Sequence, residues 1–142
     1  MKKKMIAAML ITVCTVICAV FFSACGKELN YLKADDGSGQ LKTEFDFGSF
    51  SADKLDEVKS KLSGLTFYYE YYPDNSTEEA DMSEVKVKHF VSGANGKEEH
   101  AGLPETLQAS SSYTVCYYYT GHEPTADASD SFVVTISFWV NE

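Results

Sequence analysis

Arginine is absent from the 142 residues, so all 12 basic side chains are lysines. The planar fork that grips carboxylates and phosphates bidentately is therefore missing. Against those lysines stand 21 acidic residues, for a formal net charge of −9. That balance excludes nucleic acid as an expected partner, because phosphate recognition needs clustered positive charge. Cysteine is scarce, and Cys14, Cys18 and Cys25 all lie at the N-terminus, leaving Cys116 alone. No Cys/His pair stands at zinc spacing. Asp35-Asp36, the Asp74–Asp81 loop and Asp127–Asp130 offer oxygen ligands of the kind that bind calcium weakly. None follows the EF-hand pattern, and acidic loops on an acidic chain are ordinarily just solvated, so neither metal nor other cofactor is expected. Histidine is equally thin. His89, His100 and His122 sit in three separate segments, and an enzyme would require one of them to meet a carboxylate or Cys116. Cys116 and His122 imitate a Cys–His pair, but no motif or helix N-terminus accompanies the thiol. Ser38, between Gly37 and Gly39, lacks the spacing of a nucleophile elbow. The expectation is a chain that is not an enzyme.

What is present begins at the N-terminus. Lys2, Lys3 and Lys4 precede an apolar run from Met5 to Phe22, which is the pattern of a secretory signal. The run is also about long enough to span a bilayer, so an uncleaved anchor is the competing reading. Its end decides between them. Ser23 and Ala24 place small side chains directly before Cys25, and Phe22-Ser23-Ala24-Cys25 resembles the bacterial lipobox, with Phe22 where Leu is commonest. Cys14 and Cys18 each follow a bulky β-branched residue, Val13 or Ile17. The resemblance implies a signal peptide over residues 1–24, cleavage before Cys25, and a thioether-linked diacylglycerol on Cys25. Two acyl chains hold a protein to a membrane stably where one is marginal. The expected location is thus the extracytoplasmic face of the cell membrane. Cleavage removes three lysines and no acid, which moves the net charge to about −12 and leaves no pair of cysteines to form a disulfide within the domain. Cys116, inside a β-forming run, reads as a small buried hydrophobe.

Residues 25–40 carry no apolar period and read as a flexible tether, with one domain over residues 41–142. Leu41 to Phe50 alternates, with Leu41, Thr43, Phe45 and Phe47 on one face. A short amphipathic helix is predicted at about residues 52–63, from Ser51 as cap, Leu55, Val58 and Leu62 at helical spacing, and Gly64 as stop. Strands are predicted at Leu65–Tyr72, Val85–Lys88, Leu103–Ala109 (at an edge, because Pro104 opens it), Tyr113–Thr120 and Phe132–Val140. Pro73-Asp74-Asn75-Ser76 and Gly93-Ala94-Asn95-Gly96 read as turns, and Glu78–Asp81 as an acidic loop. The class is all-β.

Ser63-Gly64-Leu65-Thr66-Phe67-Tyr68-Tyr69-Glu70-Tyr71, followed by Asp74-Asn75, resembles the start of bacterial immunoglobulin-like domains. Tyr113-Thr114-Val115-Cys116-Tyr117 and Phe132-Val133-Val134-Thr135-Ile136 resemble their closing strands. The likeness spans residues 63–140 and implies an immunoglobulin-like β-sandwich. It departs at Asn75, where the turn glycine is usual, and at Ala109–Ser112, which lack the glycine often found before the penultimate strand.

Tyrosine is the chemical signal. Alternation that turns Tyr69, Tyr71, Tyr117 and Tyr119 inward turns Tyr68, Tyr72 and Tyr118 outward, and Trp139 falls opposite Phe138. Exposed tyrosines and tryptophans are typical binding anchors, although tyrosine also favours strands with no ligand at all. Tyr68, Tyr72, Tyr118 and Trp139 are the candidate binding surface. The expected function is a lipid-anchored, non-enzymatic interaction module for an envelope protein or glycan. The alternative is an accessory lipoprotein capturing a solute or glycan for an uptake system. Replacing Cys25 with Ala is expected to leave the chain unprocessed or to release it. Labelling with radioactive fatty acid checks this, and label retained by Cys25→Ala in the membrane fraction would overturn the anchor.

Overall fold

Alternating apolar residues build two sheets in the computed structural model, which describes residues 28–125 and 133–142. The signal segment, Cys25, Asp127–Asp130 and Phe132 lie outside the described residues. The strands are β1 (Glu28–Asp35), β2 (Glu44–Phe50), β3 (Thr66–Tyr72), β4 (Ser76–Glu79), β5 (Val85–Gly93), β6 (Gly96–Ala101), β7 (Ser111–Tyr119) and β8 (Val133–Val140), with helix α1 (Leu55–Ser63) between β2 and β3. Three strands form one sheet in the order β1-β3-β4, and five form the other in the order β2-β8-β7-β5-β6. All pairings are antiparallel except β2 with β8, which is parallel.

The inward faces of both sheets share one core. Leu32, Ala34, Phe67 and Tyr69 come from the smaller sheet, and Tyr113, Val115, Tyr117, Val134, Ile136, Phe138 and Val140 from the larger. Rings carry much of the contact between sheets. The Phe67 and Tyr117 centroids lie 4.5 Å apart, and Tyr69 meets Tyr119 edge-on at 5.6 Å. Both distances fall in the favourable range for aromatic pairs. Burial holds the phenols un-ionised, pushing Tyr117 up to about 12. Tyr69 is raised too, by burial first and then by Glu84 beside it.

Helix α1 buries Val58 and Leu62 into the same core, and Gly64 closes it with an N–H donated to the carbonyls of Ser60 and Lys61, each at 3.2 Å. Its N-terminal boundary residue is Lys54, which makes no side-chain cap; Ser51 instead accepts the Lys54 N–H through its carbonyl at 3.0 Å. Lys61 reaches from the helix over the rings of Phe47 and Phe50 at 5.6 and 5.4 Å, joining the helix to β2.

Four expectations need correction. Residues 28–35 are not tether but strand β1, paired along β3 from Glu28↔Tyr72 to Asp35↔Thr66. Leu32 and Ala34 are completely buried, and Lys33 bonds Glu70 at 2.7 Å. Two inward apolar residues among charged ones are too few to display a period. The acidic loop at Glu78–Asp81 begins instead within β4, where Tyr69 pairs with Glu78 and Tyr71 with Ser76. Strand β6 was not foreseen, because its six residues are all exposed and polar or small. Finally, Leu103–Ala109 is not a strand. Pro104 and Leu107 are buried within it, and the segment is fastened by Tyr113, whose hydroxyl accepts the Gln108 N–H at 2.8 Å and donates to the Thr106 carbonyl at 3.5 Å.

If β1 belongs to the core, Leu32→Ala should lower the unfolding free energy by about 2–5 kcal/mol. Urea denaturation measures it. A change below about 0.5 kcal/mol, typical of a surface site, would return these residues to the tether.

Candidate binding face

The core commits alternate residues of each strand inward, so the register of the larger sheet determines its outer face. Phe138 and Val140 point into the core and leave Ser137 and Trp139 outside. One cross-strand row reads Ser49–Trp139–Ser112–Ser92, and the next Asp46–Ser137–Thr114–Phe90. Trp139 is 45 % exposed and lies among hydroxyls. Its indole N–H has no acceptor among the described residues.

A bulge in β2 shapes the ground beside it. Between the pairs Asp46↔Ser137 and Ser49↔Trp139, β2 has two residues, Phe47 and Gly48, where β8 has one. Gly48 adopts a φ of 78°, a conformation other residues rarely take, and donates its N–H to Asp46 Oδ1 at 2.8 Å. The extra residue also returns Phe50 to the core, where its ring meets Phe138 edge-on at 5.6 Å. An open cleft of about 500 Å³ results, lined by Asp46, Gly48, Ser49, Thr114, Ser137 and Trp139 among others.

The four candidate aromatics do not converge. Tyr68, half-buried, and Tyr72, 58 % exposed, belong to the smaller sheet, on its face away from the core. Tyr118 does lie on the outer face of the larger sheet, as alternation requires, but it is buried, which corrects its assignment as an exposed anchor. It packs with Phe90, Cys116 and Val133 in a second, smaller cluster. Lys88 lies over the Phe90 and Tyr118 rings at 5.2 and 6.0 Å, a stem covering apolar surface as long cationic side chains do. The Lys88 ammonium bonds Glu99 at 2.8 Å and Glu123 at 3.3 Å. Burial works against its charge, but the two carboxylates outweigh it and leave its pKa above the ordinary value. Trp139 and Tyr118 are themselves separated along β7–β8, pairing at Ser112 and Val133 respectively. Tyr72 and Trp139 are exposed, on different sheets, and Trp139 is the exposed one of the four on the larger sheet.

The histidines hold a feature their spacing concealed. The β5–β6 hairpin, turning at Ala94-Asn95, sets His89 directly opposite His100. Their rings stack at 5.1 Å, and His89 Nδ1 lies 2.8 Å from the Gly102 carbonyl, which accepts from the protonated tautomer. With Glu105, Thr106 and Tyr113 they line a recess of about 380 Å³. His100 Nε2 is 3.2 Å from Glu98, so a histidine does meet a carboxylate. Cys116 does not join them, since it projects from the opposite face, and burial pushes its thiol up to about 11. His122 lies apart, with its ring 6.0 Å from Tyr119. Among the described residues no group of three or more His, Cys, Asp or Glu side chains could hold a metal ion. The carboxylates of two acidic loops cap their own backbones instead, Asp35 accepting the Gly37 and Gly39 N–H groups and Asp81 that of Ser83. No family model, curated protein or solved structure matches the chain.

Burial lowers the pKa of His89 below its ordinary 6.5, helped by His100 and opposed by the Gly102 carbonyl. The folded state therefore binds its proton less readily than the unfolded chain does. Its contribution to stability is complete above pH 6.5 and declines as pH falls through the lowered value. His89→Asn keeps a side-chain N–H for Gly102 but removes the titration. Urea midpoints measured down from pH 7 should fall less steeply in this variant than in the wild type, and parallel slopes would remove His89 from the account.

Proposed function

We propose that this chain is a lipid-anchored, extracytoplasmic interaction module, attached to the membrane by a diacylglycerol on Cys25. It presents an immunoglobulin-like β-sandwich to an envelope protein or glycan. Support for the sandwich comes from the strand order β8-β7-β5-β6, which follows the G-F-C-C′ order of variable-type domains. Tyr113 adds to it. It stands two residues before Val115, near the start of the penultimate strand, with its hydroxyl bonded back to Gln108 and Thr106, as in a tyrosine corner. The departure is β4, which pairs beside β3 where strands E and D would complete the second sheet.

The observation that carries the function is Trp139, a large indole left half in water on a sheet face whose neighbours are Ser49, Ser112 and Ser137. Tryptophan is prominent among residues that dominate binding energy. The cleft beside it is open, which favours a contact surface over enclosure of a small solute. Chemical crosslinking on intact cells, comparing lipidated wild type with Trp139→Ala, tests the reading. A defined envelope component should be recovered with the wild type and fall roughly 30-fold with the variant, the loss of a hot-spot side chain. Equal recovery from a variant with unchanged melting would overturn it.

A further inference from the structure

We infer that the ligand of the Trp139 cleft is an uncharged glycan chain, an inference that rests on the interaction-module reading and narrows it to one chemistry. Three features of the face point the same way. The first is shape. An exposed indole on a sheet face offers a flat apolar surface, and the apolar C–H face of a pyranose ring is flat on the same scale. The second is the ring of hydrogen-bonding groups. Ser49, Ser112 and Ser137 surround Trp139, and each hydroxyl both donates and accepts, as sugar hydroxyls do. Asp46 adds a carboxylate acceptor. One of its oxygens holds the Gly48 N–H at 2.8 Å, which fixes the group at the cleft wall while the carboxylate keeps further acceptor capacity.

The third feature is charge. Among the described residues that line the cleft Asp46 is the one that is charged, and Glu44 lies beyond it on the outer face of β2. Lys97, on β6 at the end of Trp139's own row, holds its ammonium over the Phe90 ring at 5.3 Å, one strand beyond Thr114 and outside the cleft lining. An anionic glycan would meet the Asp46 carboxylate, with no cation among the described residues that line the cleft.

The alternative macromolecule is a peptide, and the backbone argues against the usual way of holding one. Strand addition needs a regular row of free N–H and C=O groups at a sheet edge. The edge nearest the cleft is β2, where the bulge at Phe47-Gly48 interrupts that row. The opposite edge, β6, carries Lys97, Glu98, Glu99 and His100 in succession, the charged pattern that blocks strand addition.

Trp139 is the sole tryptophan in the chain, so its emission reports the cleft directly. Full-length lipidated protein in neutral detergent would be titrated with uncharged hexasaccharides of glucose, xylose and N-acetylglucosamine. Polygalacturonate and hexalysine serve as anionic and cationic comparators. The expected result is a saturable blue shift with at least one uncharged hexasaccharide, unchanged by 0.5 M salt (about a 4 Å screening length). Calorimetry should then show about tenfold weaker binding or worse for Trp139→Ala, with partial retention in Trp139→Phe. A shift produced by hexalysine or polygalacturonate alone, and suppressed by salt, would overturn the glycan assignment. So would silence with every probe. In either case the interaction-module reading stands or falls separately, on whether envelope crosslinking depends on Trp139.

Discussion

Rings make much of the contact between the two sheets, and the rest of the molecule depends on that contact. No disulfide is available among the described residues, since Cys116 is free. Cohesion therefore rests on burial, and β7 supplies its centre with Tyr113, Val115, Tyr117 and Tyr119 turned inward. Tyr113 shows how far one side chain reaches. Its ring lies parallel to Phe138 at 5.1 Å, with 4° between the planes, while its hydroxyl fastens the 103–109 segment. A phenol serves here where phenylalanine would not, because its hydroxyl pairs with the Gln108 N–H and the Thr106 carbonyl.

Once the inward positions are filled, the outer face has little freedom left. A slip of one residue in β8 would expose Ile136 and Phe138 and bury Trp139, so the core protects the register that displays the indole. The same logic explains why the two halves of that face differ. Beyond Thr114 and Cys116 it is covered, by Lys88 lying over Phe90 and Tyr118. Around Trp139 it is open and rich in hydroxyls. The bulge at Gly48 belongs to both requirements, returning Phe50 to the core and bending β2 beside the cleft.

Local alternation was legible in the sequence wherever the inward residues are large. Ile136, Phe138 and Val140 announced their strand, and Val58 and Leu62 announced the helix. Strand β1 was not legible, since Leu32 and Ala34 are its buried positions amid charges, and what makes them strand is the partner β3. Strand β6 is likewise a product of pairing, having no buried residue of its own. Conversely, Leu103–Ala109 has strand-like composition but folds as a loop, because Tyr113 satisfies its backbone from outside. For the site, alternation sent Trp139 and Tyr118 correctly to one face. It could not show that Lys88 would bury Tyr118, or that a hairpin would stack His89 on His100. Those outcomes are set by residues far apart in the chain.

The parallel pairing of β2 with β8 has a mechanical meaning. Glu44 to Phe50 and Thr135 to Val140 run side by side in the same direction, and Trp139 lies near the far end of β8. Consider β2 held at its amino end and β8 pulled through a ligand on that indole. The load would draw β2 backward and β8 forward along a common axis. The ladder bonds between them would then share the force together, instead of opening one after another as they would at the end of a hairpin. A contact surface on this strand is placed where tension is borne in shear.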